Sequence, residues 1–218
     1  GAAMKNWEQQ HAASDDEQQR AARDHLATDP IMAGLMEGRE LPASRRSRDL
    51  FVDLIDAIVS QQLSVKAAAA IMQRLQDAFP DGVPTPEGLR EQSSEQLRAI
   101  GLSRAKVRYV HGVAEAVISG DIDLQSLQQM DDEAVIAELT RLSGVGRWTA
   151  EMLLLFSLGR RDVFAIGDLG LRTAVSRAYG IPRDDRDALA ALAERWRPYR
   201  SLACHYLWHS LDNKPSLG

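Results

Sequence analysis

Apolar residues recur at three- and four-residue intervals along most of the chain, the spacing of helices that bury one face. Leu50, Leu54, Ala57 and Ile58 mark such a face, and the pattern predicts a helix from Asp49 to Ser60. Gln61-Gln62-Leu63 then interrupts it, and Ser64 stands where it can cap an alanine-rich helix running to about Phe79. Asp29-Pro30 opens an earlier helix with Ile31, Leu35 and Met36 on one side. Ser94 to Ile100 and Arg104 to Ile118 read as two helices joined at Gly101-Leu102-Ser103. Helices are also expected from Asp131 to Leu139, over Trp148 to Phe156, from Leu169 to the stop at Gly180, over Asp184 to Arg195, and from Pro198 onwards. No stretch alternates as a strand would, so the fold class is all-α.

The stretch with the most chemistry is Leu139 to Arg172. Gly144-Val145-Gly146 separates two helical patterns, and glycine permits both a tight turn and close approach of another molecule to the backbone. The helix that follows begins with outward-pointing N–H groups, which suit a phosphate. This is a helix-hairpin-helix pattern. The Gly-x-Gly alone equally describes an ordinary helix–helix turn; Arg147 after it and the lone carboxylate Asp168 one helix downstream add to it. Asp168 also stands where it would cap the next helix, a reading compatible with a chemical one.

Charge and composition narrow the classes. The net charge of −5 does not advertise a nucleic-acid binder, so any positive field must be local, and arginines 141, 147, 160, 161, 172 and 177 cluster around the key stretch. The only lysines are Lys5, Lys66, Lys106 and Lys214. A single cysteine, Cys204, excludes a disulfide framework, a cysteine zinc site and a cysteine-held iron–sulfur cluster within the chain. No apolar run approaches membrane-spanning length. The expected setting is cytoplasmic, associated with the nucleoid when bound to DNA.

From Gly144 through Ala150, then Asp162-Val163-Phe164 and Asp168, the chain resembles the helix-hairpin-helix DNA glycosylases that carry a Gly/Pro-rich loop and an aspartate. Within them it is most similar to the DNA-3-methyladenine glycosylase II family, the AlkA-like alkylation-repair branch. The likeness runs over roughly residues 25–212. It implies two helical lobes, roughly 65–170 as one and 25–64 plus 171–218 as the other. A polar extension, 1–24, would precede them, with no N-terminal β domain such as longer members carry. One departure is Ala165-Ile166-Gly167 before the aspartate, where the family often has a proline.

The resemblance also implies roles. Asp168 would stabilise an oxocarbenium-like sugar and orient water while an alkylated base leaves. Trp148 stands where the bifunctional lyases have a Schiff-base lysine. No lysine lies between Lys106 and Lys214, which favours a monofunctional hydrolase. Trp148 and Trp208 would line the base pocket with Met152 and Leu169, positions that are aromatic in better-known members; on periodicity alone both tryptophans read as core. The tip SQQLS matches the loop that fills the gap left by a flipped base, with Gln62 or Leu63 as the wedge. Gly144 and Gly146 would hold a DNA phosphate through their backbone amides, and Arg147, Arg104 and Lys106 would contact phosphates or form structural ion pairs. No cofactor is required. A Na+ or K+ ion could sit on the backbone carbonyls of Thr140, Leu142 and Val145. The implied partner is damaged double-stranded DNA met by a monomer, and the lesions are 3-methyladenine, 7-methylguanine and related bases. A non-catalytic hairpin DNA-binding module is the alternative, which would need neither Asp168 nor two pocket tryptophans.

Overall fold

The computed structural model describes residues 15–41 and 49–212, and every regular element among them is helical. None of these helices is long and apolar enough to cross a membrane. Two compact units form: Arg46–Gly159, and the flanking stretches Gly1–Arg45 with Arg160–Gly218.

In the central unit, α3 (Leu50–Ser60) packs on α4 (Val65–Asp77), α7 (Arg104–Ile118) and α9 (Arg147–Phe156). Its face of Phe51, Leu54, Ile55, Ile58 and Val59 is buried, which is why residues 49–64 belong here and not with the flanking lobe, as the resemblance implied. Between α4 and α7 lie α5 (Pro86–Glu91) and α6 (Ser94–Ile100). The sequence reading passed over α5, although Thr85 caps it and Pro86 supplies its first position. Helix α8 (Asp132–Leu139) leads into the turn before α9, its N-terminus capped by Asp131, which accepts from Ala134 N at 2.8 Å.

The flanking unit holds α1 (residues 15–26), α2 (Pro30–Met36), α10 (Leu169–Tyr179), α11 (Arg186–Ala193) and α12 (Arg200–Asp212). The expected boundary near residue 170 falls at Gly159, so Asp168 belongs to this unit. The expected polar extension is corrected over residues 15–24, and residues 1–14 lie outside the described part. Ala22 and Leu26 of α1 are buried, and Arg23 donates to the carbonyl of Arg39 at 2.9 Å and to the Tyr206 hydroxyl. A helix that reaches the core through Ala22 and Leu26 looks polar by composition and is still part of the fold.

Asp29 is the polar centre of this unit. It is only 8% exposed. Its carboxylate caps α2 through the amides of Ile31 and Met32, and accepts from Tyr179 Oη at 2.7 Å and Trp196 Nε1 at 3.1 Å. Arg195 lies 3.6 Å away. Burial pushes the carboxyl upward, but Tyr179, Trp196 and the two amides together outweigh it and hold Asp29 below its ordinary value of 3.8. A depressed carboxyl contributes stability that is complete above the unfolded-state value and is lost as pH falls through the folded one. Replacing Asp29 with Asn should cost about 1–3 kcal/mol at neutral pH. It should also flatten the acid limb of the stability curve below about pH 4; urea unfolding of both proteins across that range checks this.

Candidate functional site

The hairpin turn runs from Thr140, the C-cap of α8, to Gly146, the N-cap of α9. Gly144 sits at φ +87°, and a Cβ there would fall 2.4 Å from Cγ of Tyr109 on α7. Two independent constraints therefore demand glycine at 144. Gly146 is different: its φ of −95° is open to any residue, and a Cβ there meets nothing within 4 Å. Of the two glycines, only Gly144 thus has backbone angles that call for glycine. What Gly146 leaves is open space at the start of α9, and no side chain caps that helix. Its leading amides are thus presented outward.

The basic residues expected around the turn are mostly engaged within the protein. Arg147 forms a bidentate pair with Glu133, at 2.7 and 3.2 Å, and lies 3.7 Å from the buried Glu151. The pairing holds Glu133 below the usual carboxylate range, against the opposing effect of burial. Arg141 bonds Asp121 and Glu138 at 2.7 and 3.0 Å. Lys106 donates to the carbonyls of Val59 and Gln61 at 2.7 and 2.6 Å, and burial lowers its pKa. Two of its three donors are thus committed to the end of α3. Arg104 is exposed at the start of α7.

The tip between α3 and α4 has an unusual backbone. Gln62 lies at φ +59°, the left-handed region, and is the one non-glycine residue found there among those described. Its neighbour Gln61 donates from Nε2 to the carbonyl of Gly144 at 2.7 Å and reaches Thr149 Oγ1 at 3.4 Å. Gln62 is exposed, Leu63 is 39% exposed and Val65 is 89% exposed, so the tip presents polar and apolar side chains together.

Along α9, Trp148 is 43% exposed. Met152 borders a cavity of about 360 Å³ with Asp53, Asp56, Ala57, Leu153, Phe156 and Ser157. Desolvation raises the Asp56 carboxyl, Ser60 opposes this and Asp53 adds to it. The two aspartates escaped the sequence reading, because on α3 they look like an ordinary solvated face.

In the flanking unit Asp168 is the N-cap of α10, as its position suggested. Its Oδ2 accepts from Leu171 N at 2.7 Å and from the indole Nε1 of Trp208 at 2.7 Å. Trp208, expected as a pocket wall, is found as a hydrogen-bond partner of the carboxylate. Leu169, next along the helix, is 54% exposed. The loop that lacks the family's proline is tied from within: Arg172, 8% exposed, donates to the carbonyl of Ile166 at 2.8 Å, and Asp168 N bonds Ala165 O at 2.9 Å. Gly170 is a further tight position that sequence reasoning missed. A Cβ there would lie 3.2 Å from Asp168 Oδ2. A glycine in the first turn of a helix, where its propensity is poor, was the available signal.

The HhH-GPD family model, described as "HhH-GPD superfamily base excision DNA repair protein", matches residues 55–198. The DNA-3-methyladenine glycosylase 1 of Schizosaccharomyces pombe is 38% identical over 76% of this chain and 74% of its own length. A putative DNA-3-methyladenine glycosylase of Bacillus subtilis is 32% identical over 73% of this chain and 58% of its own. The solved structure of the S. pombe 3-methyladenine DNA glycosylase in complex with abasic DNA superposes with a TM-score of 0.78, at 35% identity, covering 88% of this chain and 97% of that one.

Replacing Gly144 with Ala should destabilise the protein by about 2–4 kcal/mol, combining a left-handed backbone penalty with overpacking against Tyr109. Adding Tyr109→Ala should remove the steric part of that penalty and leave the backbone part. Thermal unfolding of the two single variants and the double variant gives the coupling.

Proposed function

The chain belongs to the HhH-GPD superfamily of base excision DNA repair proteins, and we propose that it is a monofunctional DNA-3-methyladenine glycosylase acting on damaged duplex DNA. The observation that carries the reading is the Asp168 carboxylate, capped into α10 and bonded by the Trp208 indole. A non-catalytic hairpin module has no use for a carboxylate whose orientation is fixed by two donors.

In the reaction the C1′–N bond of the damaged nucleotide breaks and its electron pair leaves with the base. For a base cationic through alkylation, this neutralises the ring without a protonating acid. Asp168 stabilises the positive sugar and accepts a proton from the water whose oxygen bonds to C1′. The products are a free base and an abasic site. Trp148 supplies an aromatic face at the position where lyases carry lysine, so no Schiff base forms. Such a face attracts a flipped, electron-poor ring. Met152 is a further residue for the base, and the carboxylates of Asp53 and Asp56 on its cavity favour a base bearing positive charge.

The amides that open α9, beside the bare backbone of Gly146, receive a DNA phosphate. The residues fit a monovalent cation here: the turn follows the electron-rich carbonyl end of α8, of which Thr140 is the C-cap, with Leu142 and Val145 in the same turn. Their carbonyls would hold Na+ or K+, which would supply positive charge beside the phosphate. Gln62, with Leu63, is the wedge. Because Arg147 and Arg141 are paired with carboxylates, undamaged duplex is held through few phosphates. Log affinity against log salt should fall with a shallow slope, on the order of −2 to −5.

Asp168→Asn should abolish release of 7-methylguanine while keeping affinity for an abasic-site analogue near that of the unchanged protein. Trp208→Phe, which keeps a ring but removes the donor to Asp168, should slow single-turnover release by about 10–100-fold. Borohydride added during turnover should trap no protein–DNA adduct. Full activity in Asp168→Asn, or a trapped adduct on a denaturing gel, would contradict the mechanism.

A further inference from the structure

We propose that Lys106 and Gln61 are positioning residues that lock the wedge tip to the hairpin turn as one rigid part, and that Lys106 is not a phosphate contact. This rests on the reading of Gln62 as wedge.

Three contacts close a ring within the central unit. Lys106 binds the tip, donating to Val59 O and Gln61 O at 2.7 and 2.6 Å. These carbonyls lie at the C-terminal end of α3, where a helix leaves acceptors unpaired and favours a cation. Gln61 spans from the tip to the hairpin, its Nε2 on Gly144 O at 2.7 Å. Gly144 is in turn backed by the Tyr109 ring. Lys106 and Tyr109 lie three residues apart on α7, so one helix face grips both parts.

The ring accounts for the backbone of Gln62. A left-handed non-glycine residue persists only where its surroundings over-determine it, and such residues gather at functional sites. Here Gln61 is held by side chain and carbonyl, and Leu63 N bonds back to Ser60 O at 3.2 Å. Gln62 has little choice but to point away from both. The arrangement suits mechanical work. A side chain pushed between stacked bases meets a restoring force. A loose tip would yield to that force and the bases would stay stacked. A tip braced on the hairpin transmits it to the part of the protein that grips the phosphates.

The test compares Gln61→Glu, which exchanges the donating amide for an acceptor of the same shape, with Lys106→Met, Lys106→Arg and Gln62→Ala, all in the full chain. Three readouts are taken: the salt slope on undamaged duplex, the fluorescence of 2-aminopurine beside the lesion as a measure of unstacking, and single-turnover base release. Gln61→Glu and Lys106→Met should each lower the fluorescence rise and slow release by about 10-fold or more, with the salt slope unchanged. Lys106→Arg, which returns a cation to the same carbonyls, should recover most of the loss. A slope shallower by about 0.9 in Lys106→Met would mean one lost phosphate contact and would overturn the proposal. Unchanged unstacking and release in Gln61→Glu, with Gln62→Ala impaired, would overturn the brace and leave the wedge standing. Unimpaired Gln62→Ala would remove the wedge and the brace with it. If Lys106→Met melts early, Gln61→Met, which lacks the amide and carries no charge, is measured below its melting temperature and decides by the same outcomes.

Discussion

Asp168 Oδ2 accepts two hydrogen bonds at once, one from the backbone of its own helix and one from an indole on α12. Rotating the carboxylate would break both, so the chemistry proposed for it is performed by a group that hardly moves. The surroundings enforce this. Arg172 ties the loop before it, and Gly170 keeps a side chain from pressing on Oδ2. Capping a helix and presenting a carboxylate are here the same act. That is why the structural and the chemical readings of this residue never competed.

The central unit obeys a parallel constraint at its turn. Gly144 sits against the Tyr109 ring and its carbonyl accepts from the Gln61 amide, which ties the hairpin to α7 and to the tip after α3. Gly146, by contrast, is crowded by nothing among the described residues. Two glycines two residues apart thus serve opposite ends: one admits the protein's own side chain, the other leaves a surface bare for a visitor.

Much of this was legible in the residues. Helical periodicity placed α3, α4, α8, α9 and α10 to within a few positions, and Asp29, Ser64, Asp131 and Asp168 cap the helices that follow them, because caps and periods are local properties of the chain. What was not legible depends on partners distant in sequence. Asp29 read as a cap, yet it also meets Tyr179 and Trp196, 150 and 167 residues away. For Lys106 and Arg147 the residues left phosphate contact and ion pair both open, because a basic residue near a hairpin does not name its partner; folding supplies carbonyls to one and carboxylates to the other. Helix α1 looked like solvated tail because its burial rests on few residues.

Cys204 brings a different matter into view. It is the chain's only cysteine, fully buried in α12, with its thiol directed to the carbonyl of Val163 at 3.5 Å. Thiols are the softest nucleophiles a protein owns, and they react as exposed thiolates. An enzyme that removes alkyl damage from DNA works in the presence of the electrophiles that cause it. Fully buried, this sulfur meets such reagents only when α12 opens, an infrequent event for a buried helix. The catalyst is thereby spared the injury it repairs.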